Sequence, residues 1–252
     1  MNIRLVVEYD GTLFAGWQAQ VGQRTVEGEL RAALRALTGA DHVVYGAGRT
    51  DAGAHALGQV ANFHYTGSLA PGRLQAGLNA LLPEDVAVVA AGVAADDFHA
   101  RFSARWRRYR YRWLDRPARP ALERHQCWHV RKLLDVGAMR LAAPSLVGVH
   151  DWTTFCSASE PPQARVRTMR QAAVVRRERY VELDLLGEGF LRGLVRGIAG
   201  ALTEVGLGRR PPGWVADALA ARDRAEAAKT APARGLTLVE VLYEDPNPES
   251  IV

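Results

Sequence analysis

Gly46-Ala47-Gly48-Arg49-Thr50-Asp51-Ala52-Gly53-Ala54-His55 packs three glycines, an arginine, an aspartate and a histidine into ten residues. Glycine lets a backbone turn, or approach another chain segment, where a Cβ would clash. An aspartate on such a turn has few rotamers to search and is therefore aimed. Arg49, two residues earlier, supplies a fixed positive charge that keeps a carboxylate ionised or grips a phosphate. On local chemistry alone an ordinary turn explains the stretch as well, with Asp51 capping a helix or closing an Asx-turn. A dinucleotide site does not explain it: the glycines read G-x-G-x-x-x-x-G, and no Walker lysine follows.

Outward from this loop, His42–Ala47 reads as a short strand entering it. Gln59–Tyr65 reads as a strand with Ala61, Phe63 and Tyr65 on one face. Ile3–Tyr9 is a strand closed by the Asp10-Gly11 turn, and Thr12–Gln23 is a loop. Thr25 N-caps a helix to Thr38 whose apolar face is Val26, Leu30, Ala33, Leu34 and Leu37, with Gly39 ending it. Pro71 starts a second helix, aligning Leu74, Leu78 and Leu81 until Pro83, and Val86–Val93 reads as a buried strand. Strand, helix, strand, strand, helix, strand is the split βαβ order of ferredoxin-like units, an antiparallel sheet with helices on one face. The second half echoes it: strand Arg105–Trp113, helix Lys132–Ala142, strands Arg167–Arg176 and Tyr180–Leu186, helices Gly189–Val205 and Gly213–Ala221, and strand Leu236–Tyr243. The expected fold is therefore α+β. Two ferredoxin-like (RRM-like) domains, 1–104 and 105–252, share a central antiparallel sheet with helices on one face and a cleft between them.

At 252 residues, with 48% hydrophobic and 23% charged residues, the chain can bury one large core or two small ones. Its net charge is +5, and lysine occurs only at Lys132 and Lys229. Arginine binds phosphate bidentately and stacks on flat rings, as nucleic acid requires. A GC-rich genome, to which the abundant alanine points, produces the same bias, so the placement of the arginines decides more than their number. Cys127 and Cys156 are too few for a disulfide framework and have no C-x-x-C spacing. Arg4 and Glu8 interrupt any N-terminal signal segment, and no apolar run approaches membrane-spanning length. The expectation is a soluble, cytoplasmic protein.

Three further constellations carry chemistry. Arg101 to Trp113 places six arginines within twelve residues, interleaved with aromatics. In a strand, Arg107, Tyr109, Tyr111 and Trp113 share one face and Arg108, Arg110 and Arg112 the other. Arginines neutralise phosphates and aromatics stack on unpaired bases, which suits RNA; a buried aromatic face with solvated arginines is the alternative. In the helix from Gly189, Phe190, Leu194, Ile198 and Leu202 form an apolar stripe, and Gly193, Gly197 and Gly200 each weaken it by up to ~1 kcal/mol relative to alanine. Close packing against another element must offset that. Arg196 beside the stripe needs a carboxylate, for which Asp51 is a candidate, unless it snorkels to the surface. His125-x-Cys127-x-His129 has two imidazoles and a thiol, but its spacing suits neither common zinc pattern, so no metal site is assigned. Asp96, Asp97 and His99 read as surface. Pro117–Arg124 and Ser157–Arg167 read as irregular exposed loops, the second suited by Arg165 and Arg167 to a charged partner.

Together these residues resemble one family. Tyr9-Asp10-Gly11 with Phe14-x-Gly16-Trp17-Gln18, Gly48-Arg49-Thr50-Asp51-Ala52-Gly53-x-His55, Phe98-His99-Ala100-Arg101-Phe102-Ser103-Ala104 with Arg108-Tyr109-x-Tyr111, and Val195-Arg196-x-Ile198 with Gly235-Leu236 look like the TruA-type tRNA pseudouridine synthases. The resemblance runs in order over nearly the whole chain. It implies isomerisation of uridine to pseudouridine at positions 38 to 40 of the tRNA anticodon stem-loop, by a homodimer with no cofactor and a positively charged cleft between its two domains. It places Asp51 as the catalytic aspartate and Tyr109 as the ring that stacks on the target base. It makes Arg196 the partner of the aspartate and Arg49 the handler of the flipped nucleotide, with His55 also on the substrate side. Arg101, Arg105, Arg107, Arg165 and Arg167 are weaker candidates for RNA contact. The departures are mild: Ala54 stands where valine is usual, and Gly193-Leu194 replaces a commoner His-Met.

Overall fold

Ile3, Leu5, Val7 and Tyr9 alternate down β1 (Asn2–Tyr9) and all four are buried. The computed structural model describes residues 1–246. Within it the chain forms two compact units, Met1–Arg105 with Leu238–Asp245, and Trp106–Thr237. Both are mixed α/β, with mostly antiparallel strands.

In the first unit, β1 is followed by α1 (Val26–Thr38), β2 (Tyr45–Gly46), β3 (His55–His64), α2 (Pro71–Leu81) and β4 (Val86–Ala94). The strands lie in the order β4-β1-β3, with β2 on β3 and a late strand, Leu236–Leu242, on the far side of β3. Ile3 pairs with Phe63 and Leu5 with Ala61, so the apolar rows of β1 and β3 coincide. Thr25 Oγ1 accepts the N–H of Gly28 at the start of α1, and Gly39 ends the helix at φ 73°. Three expectations change. Of His42–Ala47 only Tyr45 and Gly46 form a strand on β3, extended by one bond from the N–H of Ala47 to the carbonyl of Val60, while β3 starts earlier, at His55. β3 lies inside the sheet and is buried on both faces over much of its length, so the alternation that marks a strand is absent there. Leu81 is largely exposed, and β4, at one end of this order, exposes Val89 and Val93.

The second unit runs β5 (Trp106–Asp115), β6 (Trp128–Val130), α3 (Val136–Ala142), β7 (Gly148–Asp151), β8 (Val166–Arg177), β9 (Tyr180–Gly187), α4 (Leu194–Gly206) and α5 (Trp214–Ala221); β10 (Leu236–Leu242) then returns the chain to the first unit. Its strands are ordered β5-β9-β8-β7, with β6 parallel to β5. Trp113 donates its indole N–H to Thr203 of α4 at 2.9 Å, tying strand to helix inside the core. Two helices start later than the periodicity suggests. Asp135 caps α3 by accepting the N–H of Ala138. Gly193 at φ 75° closes a turn before α4, so Phe190 precedes the helix. The glycines of α4 do pack closely, as their number requires. A Cβ on Gly197 would stand 2.2 Å from the carbonyl oxygen of Phe155, and one on Gly200 2.2 Å from that of Lys229.

Candidate active site

The Gly46–His55 loop lies against the segment that follows β1, and both are fixed mostly through backbone groups. Trp17 N–H donates to the carbonyl of Thr50, Gly53 N–H to that of Phe14, and Ala54 N–H to that of Asp51, all within 3.2 Å. A Cβ on Gly11 would come 1.8 Å from the carbonyl oxygen of Ala54, so only glycine permits this approach. Side chains from the sheet hold the loop from beneath. Tyr9 and Thr50 share a buried hydroxyl–hydroxyl bond of 2.8 Å, and Gln59 Nε2 donates to the carbonyl of Gly48 at 2.7 Å. Burial pushes the Tyr9 phenol well above its ordinary range, with the bonds to Thr50 and Gln59 opposing only in part, so it stays neutral. The loop thereby presents a half-buried Asp51 and an exposed Arg49.

His55, the last residue of the loop, is buried. Its Nδ1 accepts the N–H of Gly11 at 3.1 Å and lies the same distance from Asp10 Oδ1, which also accepts from the N–H and hydroxyl of Thr12. His55 thus holds the turn that carries Gly11.

In the second unit, Tyr109 lies on the face of β5 shared with Tyr111 and Trp113, and all three are buried. The Tyr109 ring meets Phe190 edge-on, centroids 4.8 Å apart. Arg196, half-buried on α4, donates from Nε to the carbonyl of Ala231 at 2.8 Å, while its own carbonyl accepts the N–H of Ala231. The segment at Ala231 is thus tied to Arg196 at two points. Burial drives the Tyr111 phenol far up, and the charges of Arg196 and Arg234 oppose it; its hydroxyl donates to the carbonyl of Pro232.

The arginine-rich strand reads differently in three dimensions. Arg110 and Arg112 meet the buried carboxylates of Asp184 and Glu182 on β9 at 3.3 and 2.9 Å. Those two charges are structural, placed by the antiparallel register Arg110↔Asp184 and Arg112↔Glu182. Arg107 donates to the carbonyl of Glu188, and Arg105 pairs with Asp245 at 2.7 Å where both are exposed. Arg165 is turned into its own loop, donating to the carbonyls of Glu160 and Ala158 and to Thr153 Oγ1. Arg167 donates to the carbonyl of Val166, and the exposed Arg101 lies over the ring of Phe102. His129 Nε2 is 2.8 Å from the carbonyl of Arg116, and Cys127 is buried, its thiol pushed up by desolvation. Among the described residues no group of three metal-binding side chains converges.

Sequence reasoning passed over Thr50, Gln59 and Phe190. Gln59 sits eleven positions beyond the carbonyl it binds, and only the β2–β3 pairing brings the two together. The spacing puts Phe190 on a helix stripe, whereas the Gly193 turn frees it to pack on Tyr109.

A family model described as tRNA pseudouridine synthase matches residues 5–103 and 142–244, well over half of the chain. Proteins called tRNA pseudouridine synthase A are similar over almost their full lengths. That of Acetivibrio thermocellus is 40% identical, covering 96% of this chain and 99% of its own. That of Geobacillus kaustophilus is 44% identical, covering 97% and 95%. That of Myxococcus xanthus is 45% identical, covering 98% and 94%.

Proposed function

Because the chain belongs to the tRNA pseudouridine synthase family, it isomerises uridine to pseudouridine in tRNA, and we propose that Asp51 is the nucleophile of that reaction. What supports this most is the clamped Gly46–His55 loop, which spends its backbone groups and two sheet side chains on holding one carboxylate in place.

The reaction rearranges atoms without oxidation or loss. The Asp51 carboxylate attacks ribose C1′ as N1 leaves, much as a carboxylate does in retaining glycosidases. The freed uracil turns so that C5 faces C1′. The C5–C1′ bond forms as the aspartate leaves; C5 then loses its proton to solvent, and N1, which left with the bonding pair, takes one up. The target must leave its stack first, at a cost of a few kcal/mol. We assign the flat wall of its pocket to Tyr109, backed by Phe190, and the cations that handle nucleotide and acid to Arg49 and Arg196. His55 acts at one remove, by fixing the Gly11 turn. Arg101, Arg105, Arg107, Arg165 and Arg167 are proposed RNA contacts; Arg165 must release its loop carbonyls to reach a phosphate. The same resemblance supports a homodimer acting in the cytoplasm on positions 38 to 40 of the anticodon stem-loop. The β-α-β-β-α-β order of the first unit supports the ferredoxin-like description, which we extend to the second.

The test is tritium release from tRNA labelled at uridine C5. One tritium should appear in water per pseudouridine formed. Binding of tRNA without release would make the protein an RNA-binding module and sink the reading.

A further inference from the structure

An aromatic cluster lies in the first unit outside the Asp51 loop. The rings of Tyr45 and His99 are 4.7 Å apart, and those of His99 and Phe102 4.4 Å apart, with interplanar angles of 43° and 38°. The guanidinium of Arg101 lies 5.6 Å from the centre of the Phe102 ring. The three rings therefore touch in succession, and one cation stands beside the last of them. Phe102, at its end, is 76% exposed, and Tyr45 is 39% exposed.

The exposure is built in. The segment leading to Phe102 is pinned to the sheet by two buried asparagines: Asn2 donates to the carbonyls of Ala95 and Phe98, and Asn62 accepts the N–H of Ala100. Tyr243 donates its hydroxyl to the carbonyl of Ala100. His99 Nδ1 accepts the N–H of both Arg101 and Phe102, and Ser103 Oγ accepts that of His99. A rigid turn thus points a phenyl ring at water. Folding gains little from such a ring, whereas an unpaired base gains a stacking partner.

We propose that Tyr45, His99 and Phe102 with Arg101 form a second RNA contact, a platform on which an unpaired base of the tRNA substrate stacks outside the isomerisation site while Arg101 meets its phosphate. The partner follows from charge: the Arg101 guanidinium stands beside Phe102, and the chain carries a net +5. The inference rests on tRNA being the substrate, but not on the role of Asp51.

The test measures tRNA affinity of the full chain at one fixed salt concentration, using an unmodified transcript. Phe102→Ala should weaken binding about 5- to 150-fold, the range for loss of one base–aromatic stack. Phe102→Trp should restore affinity to within about twofold. The single-turnover rate at saturating tRNA should not change. Sedimentation is run in parallel. If the parent binds and isomerises tRNA but Phe102→Ala binds equally well, the inference is wrong. A change of oligomeric mass with unaltered tRNA affinity would also overturn it, by assigning the patch to a second copy of the chain. A parent that does not bind tRNA at all would instead defeat the substrate assignment.

Discussion

The Gly46–His55 loop and the strand β5 are fixed by opposite means. The loop has little core of its own. Backbone hydrogen bonds, a close approach at Gly11 and two polar side chains from the sheet set its shape. β5 is fixed by bulk: Tyr111 and Trp113 are fully buried, and at its end the buried Asp115 accepts two bonds from Arg176, at 2.9 and 2.6 Å, and one from the N–H of Leu134. A loop held by geometry should lose function before it loses stability, and a strand held by packing and buried charge should do the reverse.

Gly11→Ala puts that contrast under the greatest load. The added Cβ meets a backbone oxygen, so the loop must move, and a displacement of ~1 Å at a reacting group costs about 100-fold. Tritium release should fall by that factor or more, with the thermal midpoint changing much less. Activity within threefold of the parent would show that the close approach does not position the acid.

Asp115→Ala tests the other side. Burial alone would raise this carboxyl, but Arg176 and Leu134 hold it below the usual carboxylate range. Removing it deletes the buried acceptor of Leu134 and Arg176, while the half-exposed guanidinium turns to water, at a cost of about 1.5–3 kcal/mol. The thermal midpoint should drop by about 3–12 °C, while turnover by the folded variant stays within about twofold. The pH dependence follows from the sign. The folded value lies below the unfolded ~3.9, so the contribution is complete above about pH 4 and is lost as pH falls through the folded value. Acid unfolding of the parent should therefore be steeper than that of the variant. Equal slopes would remove Asp115 from the account.

Tyr9→Phe should have the smallest effect. It deletes one buried hydroxyl bond to Thr50, worth about 0.5–1.5 kcal/mol. Turnover should fall a few-fold, and the pH–rate profile should keep its shape because the phenol does not titrate in the working range. A larger loss of turnover than in Gly11→Ala would mean that the sheet side chains, rather than the backbone contacts, carry the loop.

The parts of the fold that were legible are those decided locally. Thr25 and Gly39 bracket α1 because cap and left-handed glycine act within a turn of the helix end. The row Ile3-Leu5-Val7-Tyr9 announces β1. Failures fall where distant partners decide. β3 is buried on both faces and loses its alternation, and α4 starts at Leu194 because Gly193 adopts a left-handed turn the hydrophobic stripe does not reveal. The ion pairs of Arg110 and Arg112 with Asp184 and Glu182 are set by the register of β5 with β9, which the arginine-rich strand does not itself reveal. In the loop, the motif marked Asp51, but the support from Tyr9 depends on β1 lying beside β3, and that from Gln59 on β2 lying beside β3.

The most direct measurement is single-turnover tritium release by Asp51→Asn on C5-labelled tRNA, with binding measured on the same preparation. The exchange is nearly isosteric and leaves the loop's backbone bonds in place. We expect tRNA affinity within a few-fold of the parent and release slowed by at least about 10³-fold, as when a nucleophile is removed. Release at a rate near the parent's would show that this carboxylate does not perform the chemistry.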